Sequence, residues 1–143
     1  MEMMPIITHH FVKNEDLNHH GTLFAGRAAS WFVESGLMAV AEYLPAENVV
    51  CVNVHGMNFK QPVPLGRTAR LTSKVVYAGK TSLITNIDMS VNGTSVVNGF
   101  ITFANVGPDG HAIPHGIEVK PDNEEDNALH EQAKGLYLKA KSS

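Results

Sequence analysis

Cysteine is almost missing from this chain, since Cys51 is the only one among 143 residues. A single cysteine excludes an internal disulfide and any zinc site built on several thiolates. We therefore expect a protein of the reduced cytoplasm. The eight histidines do not replace the thiolates, because none of their spacings resembles the His-Glu-x-x-His pattern of zinc enzymes. We expect neither a metal nor a separate cofactor.

A long uncharged apolar run is also lacking. The most apolar stretch, residues 23–44, is interrupted by Arg27, Glu34 and Glu42, which argues against a membrane span. Residues 1–12 contain no basic segment followed by an apolar one, so we expect no signal peptide.

An overall excess of positive charge is lacking as well. The chain carries 11 Lys and Arg against 14 Asp and Glu, a net charge of −3 with histidine neutral. Nucleic acids and membrane surfaces bind proteins with a basic excess, so neither is an expected partner. The acids are unevenly distributed, however, and residues 48–87 contain none. The same residues contain five basic ones: Lys60, Arg67, Arg70, Lys74 and Lys80. This local excess suits a small phosphorylated ligand.

The chain is about one domain long and begins with a strand and a long helix. Residues 6–13 mix β-branched and aromatic side chains and predict the strand. Residues 24–43 are Ala-rich and too long for a strand, and they predict a helix with Gly21 or Thr22 near its N-cap. Because apolar residues occur nearly all round this helix, we expect it to be buried.

The apolar period changes to two after the helix. Four runs show it, at residues 49–60, 67–78, 82–91 and 95–106. This alternation is typical of antiparallel strands, and Asn92-Gly93 indicates a hairpin turn. We predict an α+β fold in which a four-strand meander, part of a single antiparallel sheet, wraps the long central helix. Residues 1–117 form the predicted domain, and the acid-rich residues 118–143 a solvated tail that is partly helical or disordered.

Four motifs in order along the chain resemble those of hot-dog acyl-CoA thioesterases, and most closely the bacterial and brain-type acyl-CoA hydrolases. They are DLNHHGTLFAG at 16–26, NFKQPVPLG at 58–66, GKTS at 79–82 and TFANV at 102–106. The resemblance implies a hot-dog fold and hydrolysis of an acyl-CoA to the free acid and coenzyme A. Coenzyme A is then part of the substrate. It also implies a homodimer or an assembly of dimers.

Glu34 is the candidate general base or nucleophile. Hydrolysis of a thioester needs such a group, and Glu34 is the only acid between Asp16 and Glu42. An acid on a buried helix is costly unless it is paired or functional, so the alternatives are an ion pair with Arg27 or a side chain that reaches solvent. In the family that the motifs resemble, the acid usually stands one position earlier, where this chain has Val33. Some relatives carry Glu at the later position.

Asn18 is the second candidate catalytic residue. An amide before the helix can hold the attacking water or donate to the thioester oxygen, but it can also simply close an Asx turn. The resemblance implies the catalytic role, with Asn18 of one subunit facing Glu34 of the next.

Two backbone segments are expected to bind the substrate. At the start of the helix, N–H groups without an intrahelical acceptor would stabilise the oxyanion. They belong to the residues near Phe24, Ala25 and Gly26. The second segment is the turn of Gly79, Lys80, Thr81 and Ser82. Its lysine, hydroxyls and N–H groups could hold a phosphate of coenzyme A.

Two other functions stay open. A hot-dog dehydratase acting on hydroxyacyl thioesters would need a His-Phe-Pro-type loop with a His–acid pair, which this sequence lacks. A non-catalytic acyl-CoA-binding module is favoured by the absence of an acid at Val33. Steady release of free thiol would exclude the binding module.

Overall fold

A computed structural model describes residues 3–142 of the chain. Its elements follow in the order β1 (Ile6–Phe11), α1 (Ala25–Ala41), β2 (Val49–Phe59), β3 (Thr68–Ala78), β4 (Ser82–Val91), β5 (Thr94–Asn105) and α2 (Glu124–Lys141). The first six agree with the sequence predictions to within two residues at each end, because apolar period and turn residues are local signals. At the β4–β5 turn, Asn92 and Gly93 both have positive φ angles, as the Asn-Gly pair predicts.

The five strands form one antiparallel sheet in the order β1-β3-β4-β5-β2. The predicted four-strand meander is wrong, since only β3, β4 and β5 are consecutive neighbours. The chain leaves β2 at one edge of the sheet and enters β3 near the other edge, where β3 pairs with β1. Residues 60–67, which include Pro62 and Pro64, make this crossing instead of a tight hairpin.

Helix α1 lies across one face of the sheet. Its buried residues are Ala28, Trp31, Phe32, Ser35, Gly36, Ala39 and Val40. The expectation that the whole helix is buried is wrong for the single chain, because one sheet covers only one side of a helix. The opposite side exposes Glu34, Leu37 and Met38.

The N-cap of α1 is Phe24, so Gly21 and Thr22 lie near the N-cap, as the sequence predicts, but neither is the cap itself. Thr22 and Leu23 form isolated β-bridges to Pro64 and Leu17. The bridge from Thr22 to Pro64 ties the loop before α1 to the crossing segment.

Helix α2 packs on the other face of the sheet. Its apolar stripe of Leu129, Ala133, Leu136 and Tyr137 contacts Val76, Ile84 and Phe100. The Lys74 ammonium binds the Asp126 carboxylate at 2.8 Å and joins the start of the helix to β3. The acid-rich segment is therefore helical and packed over Glu124–Lys141, because its acidic composition conceals an apolar stripe at helical spacing. Its separation from a domain of residues 1–117 stays a prediction. No helix within residues 3–142 is long and apolar enough to span a membrane.

Candidate active site

The loop between β1 and α1 borders a cavity of about 350 Å³. The cavity is lined by Asn18, Thr22, Leu23, Ala25, Val97 and residues 59–63. One wall is held in place by the Leu23 N–H, which donates to the Val63 carbonyl at 2.8 Å. Asn18 and the first turn of α1, two of the predicted parts of the site, therefore share one cavity.

The Asn18 side chain organises its own loop. Its Oδ1 accepts hydrogen bonds from the N–H groups of His20 at 2.8 Å and Thr22 at 3.2 Å. Its Nδ2 donates to the Thr22 hydroxyl at 3.1 Å and makes only a long contact of 3.5 Å with the Leu23 carbonyl. The Asx-turn role is thus present in the structure. One N–H of the amide is weakly held and remains able to donate into the cavity.

The start of α1 offers fewer free donors than the sequence predicts. The N–H of Phe24 donates to the Asp16 carbonyl at 2.8 Å, so it is not free. The N–H groups of Ala25 and Gly26 are the first two of the helix and have no acceptor within residues 3–142. A Cβ at Gly26 would lie 2.5 Å from the Phe24 ring, so this glycine makes room for that ring.

Asp16 holds the loop against α1, a role that sequence reasoning missed. It is 4% exposed, and its Oδ1 lies 3.2 Å from the Arg27 Nε. Its Oδ2 accepts a hydrogen bond from the Lys13 N–H at 2.9 Å. Because Arg27 pairs with Asp16, the alternative that Arg27 pairs with Glu34 is wrong.

Glu34 lies away from the Asn18 cavity. It is nine residues beyond Ala25, which places it about 14 Å along the helix axis. One turn earlier, Trp31 stacks on His10 of β1 with ring centroids 4.3 Å apart, so Glu34 is on the β1 flank of the helix. Burial lowers the pKa of His10, and the negative charge of Glu34 opposes that shift. The Phe32 ring packs near Gly99 of β5, on the side of α1 away from β1. Val33, the next residue round the helix from Phe32, therefore lies on the flank opposite to Glu34.

The turn of Gly79, Lys80, Thr81 and Ser82 lies at the far end of β3 from the Asn18 loop. The near end is marked by Gly66, whose N–H donates to the Val12 carbonyl at 3.0 Å. The length of β3 separates the two regions by about 33 Å. A single chain therefore brings Asn18 and Ala25 together, but it brings neither Glu34 nor the turn to them.

The five cations between residues 48 and 87 do not form one surface. Lys74 is neutralised by Asp126, and Arg70 lies on the α2 face of the sheet. Lys60 lines the Asn18 cavity and donates to the Ser95 hydroxyl at 3.2 Å, whereas Lys80 is exposed at the distant turn. Local charge in the sequence overstated the patch, because Lys60, Arg70 and Lys80 lie in different parts of the sheet and the charge of Lys74 is paired with Asp126.

His115 is a second residue that sequence reasoning missed. Its ring Nε2 lies 2.9 Å from the Ser82 carbonyl, and the Ile117 N–H donates to its Nδ1 at 2.9 Å. No local signal could identify it, since Ser82 lies 33 positions away in the chain. A cavity of about 290 Å³ opens beside these residues, next to Ala78 and Ile117.

Another cavity, of about 710 Å³, lies between α2 and the β2–β5 edge of the sheet. Its lining includes His55, whose Nε2 is 2.7 Å from the Thr102 hydroxyl. It lies on the opposite face of the sheet from α1 and contains none of the predicted site residues. Within residues 3–142, no three His, Cys, Asp or Glu side chains cluster so as to hold a metal ion.

One antiparallel sheet curled round a central helix is the hot-dog fold, and solved structures confirm this class. An acyl-CoA hydrolase from Staphylococcus aureus has a TM-score of 0.86 at 20% identity, with 96% of this chain and 84% of that chain covered. An acyl-CoA hydrolase from Bacillus cereus has a TM-score of 0.82 at 24% identity, with the same coverage of 96% and 84%. A hexameric thioesterase from Yersinia pestis has a TM-score of 0.68 at 23% identity, with 75% and 91% covered.

The family model of the thioesterase superfamily matches residues 20–97, which is more than half of the chain. No curated protein sequence matches significantly. The chain belongs to the thioesterase superfamily. The matched segment begins two residues after Asn18 and runs through α1, β2, β3 and β4 into β5, so it includes the turn at residues 79–82 and the cavity lining other than Asn18.

Proposed function

We propose that the protein hydrolyses the thioester of an acyl-CoA to a carboxylic acid and coenzyme A. The observation that carries the proposal is the cavity lined by the amide of Asn18 and by Ala25, the first residue of α1, at the helix end where the N–H groups of Ala25 and Gly26 have no acceptor within residues 3–142. Donors without a protein acceptor at a helix N-terminus suit a developing oxyanion. The Staphylococcus aureus hydrolase with this fold was solved with butyryl coenzyme A and coenzyme A, which supports the substrate class.

We infer that the working unit is a homodimer or an assembly of dimers. Strand β2 is an edge of the sheet and exposes Val50, Val52 and Val54 by 47%, 60% and 41%. A long apolar edge strand needs cover, and pairing with β2 of a second copy would supply it. Related folds include hexameric thioesterases, which supports assembly. The proposal also takes Glu34 of one copy to act on the Asn18 cavity of another. Pairing through β2 alone does not supply that contact, because Glu34 lies on the β1 flank of α1 and β1 is the opposite edge of the sheet.

The proposed mechanism assigns each group one role. The handle of the substrate rests on the turn at residues 79–82 of another copy, since one chain holds its own turn far from its Asn18 cavity, and Lys80 supplies positive charge there. The thioester carbonyl enters the Asn18 cavity and points its oxygen at the N–H groups of Ala25 and Gly26. As general base, Glu34 of the second copy takes a proton from water as that water attacks the carbonyl; the tetrahedral intermediate collapses, the C–S bond breaks, and coenzyme A leaves as its thiol with that proton. As nucleophile, Glu34 attacks the carbonyl itself, the C–S bond breaks to release the coenzyme A thiolate, and water then hydrolyses the resulting mixed anhydride to the carboxylic acid and free Glu34.

Thiol release by Glu34→Gln and Asn18→Ala tests this proposal. Each variant is expected to lose on the order of 100- to 1,000-fold in kcat, the usual effect of removing one such group. Full turnover in both variants would place the reaction elsewhere. His9→Ala is the matched control, because His9 is exposed on β1 and faces away from α1.

Mixing the two variants tests whether the site spans two chains. A heterodimer of Asn18→Ala and Glu34→Gln has one intact site if Asn18 and Glu34 act across the interface. Random exchange of subunits then restores about a quarter of wild-type activity. If the two residues act within one chain, mixing restores nothing.

A non-catalytic acyl-CoA-binding module is the second candidate. It is favoured by the exposed position of Glu34 on the β1 flank and by the apolar Val33 on the other flank. In that case the wild-type protein binds an acyl-CoA but releases no thiol above the uncatalysed rate. Calorimetry and a thiol-release assay on the same sample distinguish the two functions.

A further inference from the structure

We infer that His115 is a positioning residue for the turn at residues 79–82 and thereby for the phosphate-bearing end of the coenzyme A handle. This inference rests on the proposed function, because it takes the turn to be where the handle binds. His115 lies in the segment between β5 and α2, far along the chain from the turn that it contacts.

The imidazole of His115 is held in one tautomer. The Ile117 N–H donates to its Nδ1 at 2.9 Å, so Nδ1 carries a lone pair and no proton. In the neutral ring the proton is therefore on Nε2, which donates to the Ser82 carbonyl at 2.9 Å. The ring thus joins residue 117 to the turn by two directed hydrogen bonds.

All three carbonyls that end the turn are held by donors. The backbone N–H of His115 donates to the Lys80 carbonyl at 3.2 Å, and the N–H of Asn105 donates to the Thr81 carbonyl at 2.8 Å. The Ser82 carbonyl also accepts from the Gly79 N–H at 3.0 Å, in addition to the imidazole. His115 therefore holds the Lys80 and Ser82 carbonyl oxygens on its own side of the turn, while β5 holds that of Thr81.

This arrangement determines what the turn presents to a ligand. In a trans peptide the N–H points opposite to the carbonyl of the same peptide unit. Because the Lys80 carbonyl faces His115, the N–H of Thr81 faces away from it, and this N–H has no acceptor within residues 3–142. A phosphate is attracted by outward N–H groups and repelled by outward carbonyl oxygens. His115 thus favours the orientation that an anion needs.

The turn has few other contacts against rotation. Gly79, Lys80 and Thr81 lie between β3 and β4, Ser82 begins β4 and pairs with Ala104 of β5, and Lys80 is exposed. On one side the Tyr137 ring packs so closely over Gly79 that a Cβ there would lie 2.6 Å from the ring. On the other side the hydrogen bonds of His115 and Asn105 hold the turn, so their loss releases its peptide groups.

The test compares, by calorimetry, the binding of coenzyme A with that of 4′-phosphopantetheine and of pantetheine, which both lack the adenosine and differ by one phosphate. His115→Ala is expected to raise the Kd of coenzyme A and of 4′-phosphopantetheine about tenfold, as for the loss of one directed hydrogen bond, and to leave that of pantetheine unchanged. His115→Gln places an amide N–H near the position of Nε2 and is expected to recover most of the affinity. The shorter side chain of His115→Asn does not reach that position, so this variant is not expected to recover the affinity. His111→Ala is the control, since the His111 side chain is 86% exposed in the same segment.

The outcomes separate this inference from the proposed function. An equal loss for 4′-phosphopantetheine and pantetheine, or no loss for either, overturns the positioning role of His115. A wild-type protein that binds 4′-phosphopantetheine no better than pantetheine overturns it as well, because no contact to that phosphate then exists. A wild-type protein that binds coenzyme A selectively but releases no thiol contradicts hydrolysis and still allows His115 to be tested.

Discussion

The hydroxyl of Ser35 on α1 donates to the hydroxyl of Ser73 on β3 at 2.9 Å, and the Ser73 hydroxyl donates in turn to the Ser35 carbonyl at 2.6 Å. Both residues are buried, at 1% and 0% exposure. The two hydroxyls lie within an otherwise apolar interface, so both hydrogen bonds form in only one arrangement of α1 on the sheet. The pair therefore helps to set the rotation of α1 on the sheet, and with it the flank on which Glu34 lies.

Ser73→Ala is expected to lower the free energy of unfolding by about 1–3 kcal/mol, because it leaves the buried Ser35 hydroxyl without its acceptor. Urea unfolding at one fixed protein concentration measures this change. The double variant Ser35→Ala/Ser73→Ala is expected to lose less than the sum of the single variants, since both partners are removed together. Ser30→Ala, on the exposed side of the same helix, is the control. Strict additivity would argue against the coupled pair.

Gly99→Ala is expected to destabilise the protein by about 1–3 kcal/mol, as overpacked sites do. A Cβ at Gly99 would collide with the backbone carbonyl of Gly56, and backbone cannot yield as a side chain can. The matched change is Gly135→Ala in α2, where nothing lies within 4 Å of the added carbon. It is expected to stabilise by up to about 1 kcal/mol through helix propensity. Thermal unfolding of the two variants should shift in opposite directions.

The stack of His10 on Trp31 makes the stability and the fluorescence depend on pH. Burial lowers the pKa of His10 below 6.5, against the opposing charges of Glu34 and Asp16 and with a small contribution from Lys13. Between the folded and unfolded pKa values, the unfolded chain binds a proton that the folded chain does not. The contribution of His10 is therefore present above pH 6.5 and is lost as the pH falls through the folded pKa.

Trp31 is the only tryptophan, so its emission reports on this titration. The emission is expected to change as an imidazolium replaces the stacked neutral ring, with a midpoint below pH 6.5. His10→Phe keeps an aromatic stack and should abolish the change. A midpoint above that value would show that Glu34 and Asp16 outweigh burial.

The ion pair of Lys74 with Asp126 is expected to hold the first turn of α2 on the sheet. Its side chains are 24% and 18% exposed, so the pair is only partly screened by solvent. Asp126→Asn should lower stability by about 0.5–1 kcal/mol and speed amide exchange within Glu124–Lys141. The control is Glu118→Gln, because the Lys120–Glu118 pair is 75% exposed on both sides. If Asp126→Asn and Glu118→Gln change the amide exchange of α2 equally, the ion pair of Lys74 does not hold the helix on the sheet.

Local signals in the sequence predicted the elements well and their neighbours less well. The period of two identified β2 to β5, because alternation depends only on adjacent residues. The same pattern carries no information on which strand pairs with which, so the place of β2 beside β5 was missed. The stripe that contains Ala133 was missed because the acids around it dominate the composition of α2.

The site shows the same division. The loop motif identified Asn18 and the start of α1, and the structure places them in one cavity. The motif did not reveal that the Phe24 N–H donates to the Asp16 carbonyl or that Arg27 forms an ion pair with Asp16. Both contacts depend on how the loop folds back on α1. The catalytic roles of Asn18 and Glu34 and the ligand of the turn remain predictions.

By itself, the sequence determined the class of this protein: an α+β fold whose motifs resemble those of thioester hydrolases, built from a helix and strands whose lengths follow from local periodicity. Only the tertiary structure decided which side of α1 stays open, where each cation points and that His115 reaches Ser82. These depend on contacts between residues far apart in the chain. Pairing across such distances is chosen by the burial and hydrogen bonding of the whole sheet, and not by any one segment.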